Sequence, residues 1–206
     1  MPVHLVDHPL AHDALIELRG KDTPSDRFRL AATRISLVLA AEATRDVPST
    51  PVTVDTPLAQ APGRHVGDIV VVPVLRAGIG MLDAVLQIAP QARVGFIGLR
   101  RDETTAVAAL YYSNLPPNLE SSLVLLVDPM LATGGSAVAA LDILKRAGAT
   151  NIRFICIVAA PEGVAGVERR HPDVAIYAPV IDDHLNAKKY IVPGLGDFGD
   201  RLYGTV

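Results

Sequence analysis

The sequence has little with which to cross-link itself and few large aromatic groups. Its 206 residues include one cysteine, Cys156, no tryptophan and only 4% aromatic residues. One cysteine excludes an intrachain disulfide and fits a reducing compartment. A basic excess is missing too. The formal net charge is −3, so no global positive field recruits nucleic acid, and none is expected as a partner. Apolar runs such as Ile69–Leu75 and Phe154–Ala160 are far too short to span a bilayer. The opening MPVHLVDHPLAHD lacks the basic-then-apolar layout of a signal peptide. A cytoplasmic protein without a membrane partner is expected. His4, His8, His12, His65, His171 and His184 show no metal-ligand spacing, so no protein-held metal site is expected.

What is present is apolar sequence in short bursts. Half of the residues are hydrophobic and 20% are charged, with a mean hydropathy of +0.31, which fits a folded chain with a sizeable core. Leu10–Arg19 and Asp26–Thr44 carry apolar residues at three- and four-residue spacing and read as helices, with Thr23-Pro24-Ser25 as the break between them. Residues 47–68 are rich in proline and β-branched residues and read as short strands and loops. From Asp68 onward the pattern becomes strand, glycine turn, helix. It shows in DIVVVPVLRAGIGMLDAVLQIAP, in LVLLVDPMLATGGSAVAALDILKRAGA and in NIRFICIVAAPEGVAGVERRHPD; ARVGFIGLR and VAIYAPVID supply further strands. The strands are continuous apolar runs, as in sheets covered on both faces. Helices alternating with such strands imply a mostly parallel, doubly wound α/β sheet whose ligand lies at the carboxyl ends of strands. A single domain over 1–206 is expected.

The segment DPMLATGGS places Asp128 at the end of one such strand and Thr133, Gly134, Gly135 and Ser136 in the turn to the next helix. Adjacent glycines let backbone N–H groups approach an anion, and the helix start adds free donors and a positive dipole end. The turn is neither a Walker A loop, since no lysine follows the glycines, nor a GxGxxG dinucleotide fingerprint. Taken alone, TGGS reads equally well as a tight turn with Ser136 as helix N-cap. The acid and the two flanking hydroxyls tilt the reading toward a phosphate site. Arg76, in VPVLRAGIGM, offers a planar fork to a diphosphate, or else an ion pair to a nearby aspartate. GLRRDETTAVAALYYSNLPP (98–117) reads as a hairpin or lid over the strand ends, or as a solvated charged loop. YIVPGLGDFGDRLYGT (190–205) shows no clear helix or strand period and reads as a long functional loop. Cys156, in FICIVAA, reads as a core residue.

DPMLATGGS resembles the phosphoribosyl-diphosphate (PRPP) loop of type I phosphoribosyltransferases. Most members have a second acid where Pro129 stands here, and Pro129 resembles the uracil phosphoribosyltransferase branch. HPL, EATRD, VVPVLRAGIGMLDA, GLRRDET, VAAPEG, HPDVAIY and YIVPGLGDFGDRLYGT follow in that family's order along nearly the whole chain. The resemblance implies a core at about 66–182, a lid, and a hood built from the terminal segments. It implies that PRPP is bound by Asp128, Pro129, Met130, Leu131, Ala132, Thr133, Gly134, Gly135 and Ser136, with Asp128 on the ribose hydroxyls and the turn on the 5-phosphate. Arg76 and Arg101 reach the diphosphate and Asp197 lies beside PRPP, which makes Asp128, Arg101 and Asp197 the residues nearest the chemistry. Ile191, Gly196, Asp197 and Phe198 bind uracil, read mainly by backbone. Uracil presents an acceptor–donor–acceptor edge that cytosine cannot match. The implied reaction is uracil plus PRPP giving UMP and diphosphate, with Mg²⁺ carried mainly by PRPP. Some relatives are activated by GTP, and the family forms dimers or tetramers. A phosphoribosyltransferase for another base, or an RNA-binding pyrimidine-operon regulator on the same fold, are the alternatives.

Overall fold

The computed structural model describes residues 3–101 and 108–205. Two helices open the chain, α1 (Pro9–Arg19) and α2 (Ser25–Ala43), after a short strand β1 (Val3–Leu5). Both lie where apolar spacing of three and four predicts them. Residues 47–68 form more regular structure than expected: β2 (Ser49–Asp55) and β3 (Gln60–Val66) pair antiparallel as a separate ribbon. The repeating part follows. It runs β4 (Ile69–Leu75), α3 (Ile79–Ile88), β5 (Arg93–Val94), β6 (Phe96–Arg101), β7 (Ala108–Asn114), β8 (Leu123–Val127), β9 (Met130–Leu131), α4 (Gly135–Arg146), β10 (Asn151–Ile155), β11 (Val158–Ala159), α5 (Pro161–Arg170) and β12 (Ala175–Ala178). Two short strands, β13 (His184–Leu185) and β14 (Ile191–Val192), and a final helix α6 (Phe198–Tyr203) complete the chain.

The main sheet has the order β1-β12-β10-β8-β4-β6-β7, with β5 also on β4. All neighbours are parallel except β6 and β7, which form an antiparallel hairpin with an irregularity at Gly98/Leu99. The sheet is thus mostly parallel and flanked by helices on both faces, an α/β fold. Strand alternation divides its core. Val71, Leu123, Leu125 and Val127 face α1, α2, α3 and α6, while Val70, Val72, Val124 and Leu126 face α4 and α5. Burial of these runs from both sides explains why they read as unbroken apolar stretches. Cys156 is fully buried in the second cluster, as its apolar context implies. Among the described residues no helix is long and apolar enough to cross a membrane.

His171 closes α5, its ring buried and its Nε2 3.4 Å from Asp142 of α4. Burial, and then Lys145, hold its imidazole below the usual histidine range, against the pull of Asp142 and Asp173. A base with a depressed folded pKa stabilises the fold above its unfolded value and loses that contribution as pH falls. Thermal melts should therefore drop as pH falls from about 6.5 toward 5. His171→Gln should flatten part of that drop, and an unchanged slope would acquit His171.

Candidate active site

Strand order reverses around β4: the chain leaves β4 for β6 on one side and returns to β8 on the other. A crevice opens beyond the carboxyl ends of strands at such a switch point. There the two glycine turns converge. Gly78, after β4, packs so closely that a Cβ on it would lie 2.5 Å from the Val127 carbonyl oxygen, at the end of β8. Only glycine allows the Arg76 turn to sit against the Asp128 turn.

Asp128 follows β8 and is half-buried. Burial pushes its carboxyl up to about 7, only partly offset by the Met130 N–H. Pro129 is buried, and its carbonyl accepts from the N–H groups of both Ile157 and Val158 at 2.9 and 3.0 Å. With proline at this position, Asp128 is the one carboxylate of the stretch 128–136. Met130 and Leu131 form β9, which pairs with β11, and Ala132 and Thr133 lead into the turn. The tight-turn reading places the N-cap at Ser136; the structure places it at Gly134, with φ +81° and no side-chain capping bond. Gly135 N–H sits 3.4 Å from Thr133 Oγ1. The next N–H groups of α4, those of Ser136 and Ala137, thus stand at a helix start whose N-cap residue has no side chain to bond them, an arrangement suited to a phosphate.

Around the Arg76 turn lies a cleft of about 730 Å³ lined by Leu75, Arg76, Ala77, Leu99, Arg100, Tyr111, Asp197 and Gly199, none of them from the Asp128–Ser136 turn. Arg76 stands at its mouth. Half-buried Asp200 approaches the exposed Arg76 guanidinium at 3.9 Å, and the Tyr203 hydroxyl donates to the Arg76 carbonyl at 3.1 Å. So long a pair, exposed on the arginine side, leaves Arg76 able to engage an anion. The hairpin arginines divide: Arg100 reaches the cleft wall, whereas the side chain of Arg101 lies outside the described residues, as do Asp102–Val107 at the tip of the expected lid. Tyr111 also lines the cleft and lies across Gly98; nothing in its sequence context marks it for this place.

The C-terminal segment departs from the loop expected of it. Asp197 lines the cleft and also caps α6, its Oδ1 accepting from Asp200 N–H at 3.0 Å. Phe198 and Leu202, four residues apart, bury one face of that helix. Phe198 packs edge-on against Phe28 of α2 with ring centroids 5.2 Å apart, and Ile191 is buried in the same core. Of the four residues implied for the base, Ile191 and Phe198 send their side chains inward. Gly196, with φ +82°, and Asp197 remain exposed. Any recognition by residues 191 and 198 therefore falls to the backbone.

Among solved structures, a hypoxanthine phosphoribosyltransferase from Staphylococcus aureus superposes with a TM-score of 0.52 at 15% identity, over 76% of each chain. That likeness shows the type I phosphoribosyltransferase fold. The AQ2163 protein of Aquifex aeolicus is far more similar, with a TM-score of 0.94 and 36% identity over 98% of each chain. The sequence model of the uracil phosphoribosyltransferase family matches residues 5–205. Uracil phosphoribosyltransferases of Geobacillus kaustophilus and Dictyoglomus turgidum are each 49% identical over 205 residues, 98% of this chain and 98% or 99% of theirs. The chain belongs to the uracil phosphoribosyltransferase family and is a pentosyltransferase.

Proposed function

We propose that the protein transfers the 5-phosphoribosyl group of PRPP to N1 of uracil, giving UMP and diphosphate in salvage of the free base. The observation that carries this reading is the single carboxylate of Asp128 beside an α4 start without a capping side chain, at a switch point shared with the Arg76 turn. Asp128 accepts from the ribose 2- and 3-hydroxyls while the amides of 134–137 and the hydroxyls of Thr133 and Ser136 hold the 5-phosphate. The N1–C1 bond forms as the bond from C1 to the diphosphate oxygen breaks, and that electron pair leaves with diphosphate. The N1 proton goes to water or to Asp197. Negative charge grows on the leaving group, where Arg76 and Arg100 line the cleft and Arg101 is assigned by resemblance. Holding both substrates in line supplies much of the remaining acceleration.

Mg²⁺ belongs to this reading as a passenger of PRPP. Among the described residues no three His, Cys, Asp or Glu side chains converge on one point, so the donor set of this chain fits ribose hydroxyls better than a metal cage. When bound, the ion neutralises diphosphate charge. A cytoplasmic homo-oligomer, dimer or tetramer, open to activation by GTP, completes the reading on the strength of resemblance. Exposed Val54, Leu58 and Val66 on the β2–β3 ribbon offer apolar surface to a second copy.

The test is product formation from PRPP and Mg²⁺ with uracil, cytosine, orotate, hypoxanthine and adenine supplied separately, with and without GTP. UMP from uracil alone is expected. Turnover of another base would overturn the base assignment, and PRPP binding without any turnover would favour the RNA-binding regulator.

A further inference from the structure

The segment that carries Gly196 and Asp197 is gripped from behind by an ion pair far from it in sequence. Arg19, the last residue of α1, and Asp182, just past β12, form a two-pronged pair at 2.9 and 2.6 Å. Both also bind Gly194. Its N–H donates to Asp182 Oδ2 at 2.8 Å, and Arg19 Nη1 donates to its carbonyl at 2.8 Å. Gly194 is buried with φ +59°, and a Cβ there would fall 2.1 Å from the Ile191 carbonyl oxygen. Arg201 of α6 continues the grip. It donates to the Leu195 carbonyl at 2.6 Å and to the carbonyls of Leu18 and Gly20, and it lies 4.5 Å over the Phe28 ring.

We infer that Arg19 and Asp182 are positioning residues for base recognition, fixing the peptide unit two residues ahead of Gly196 so that the following backbone meets uracil in one register. The inference rests on the uracil reading above. Asp182 is buried and Arg19 half-buried, and an ion pair so withdrawn from water seldom adds net stability over apolar residues of like volume. What apolar residues cannot reproduce is a hydrogen bond to each polar group of Gly194. A recognition surface made of backbone has no rotamers with which to correct an error, so its accuracy depends on the residues that hold the chain.

The experiment compares the full chain with Arg19→Lys, Asp182→Asn and the double variant Arg19→Met/Asp182→Leu, varying uracil and PRPP separately and recording thermal melts. The double variant removes both charges, so no buried ion is left unpaired, while both bonds to Gly194 are lost; the melts check that it stays folded. The KM for uracil should rise roughly tenfold or more in each variant, and several times more than the KM for PRPP, which in this segment adjoins Asp197 alone. A folded double variant with an unchanged uracil KM would overturn the inference, and so would equal rises for both substrates. If the parent protein makes no UMP, the uracil reading itself falls and takes the clamp with it. That outcome is visible in the parent alone.

Discussion

Replacing Asp128 with alanine should weaken PRPP binding by on the order of 100-fold while leaving the fold intact, as read by titration calorimetry and thermal melts. Two ribose hydroxyls donating to one carboxylate are charge-assisted bonds, each contributing about 1.5–3 kcal/mol. The loss is large because Pro129 supplies no second acceptor. Removing the carboxylate also removes a desolvated charge, so stability at neutral pH should hold or rise.

The same residue sets a pH dependence with a definite sign. Its carboxyl is raised to about 7 by burial, above the unfolded value. The uncomplexed protein therefore has the full contribution of this group below the unfolded pKa and loses it as pH climbs through about 7. Hydroxyls that donate to the carboxylate favour its ionised form. PRPP affinity should accordingly strengthen as pH rises from about 6 to 8, with a proton released on binding. Asp128→Asn should remove this dependence. An equally steep profile in the Asn variant would assign the titration to another group.

Gly163→Ala should be nearly as damaging from further away. Gly163 lies in the first turn of α5, and a Cβ there would sit 2.6 Å from the carbonyl oxygens of both Leu131 and Ala132. The contact is reciprocal: a Cβ on Gly134 would meet the Gly163 carbonyl oxygen at 2.9 Å, and one on Gly166 would meet that of Thr133 at 3.1 Å. Backbone packed against backbone cannot yield by changing a rotamer, so the added methyl must displace the phosphate turn. A shift near 1 Å in a positioning element can reduce catalysis about 100-fold, and overpacking costs about 1–3 kcal/mol. Gly163→Ala should therefore lower kcat/KM for PRPP by about two orders of magnitude with a modest fall in Tm. Gly166→Ala, with more room, should do less. Wild-type PRPP kinetics in Gly163→Ala would show that α5 does not set the shape of the turn.

These two sites differ in how far the sequence discloses them. Asp128 stands at the end of an unbroken apolar run and before two adjacent glycines, so local pattern alone places it at a strand end facing a crevice. The glycine of VAAPEG is visible in the sequence, but its partners lie about thirty residues upstream and meet it only in the folded chain. Arg19 and Asp182 are separated by 163 positions, and no local spacing links them. In the C-terminal tail, glycine and aspartate hide the helix that Asp197 caps. The apolar pair Phe198 and Leu202 was the available signal for that helix, although it marks a buried face rather than a base contact. Local pattern did not show that Arg100 would line the cleft, because that depends on the strand's facing and on its irregularity at Gly98/Leu99.

The pairing of β9 with β11 bears on how portable this motif is. Asp128 to Ser136 form a contiguous stretch, yet Met130 and Leu131 hydrogen-bond as a strand to Val158 and Ala159, and the Pro129 carbonyl is held by Ile157 and Val158. The contour of the turn is therefore dictated by a strand and helix that emerge later in synthesis. A nascent chain released only as far as α4 carries every letter of the motif without its shape, and grafting those letters onto another scaffold would transfer a string of residues rather than a binding site.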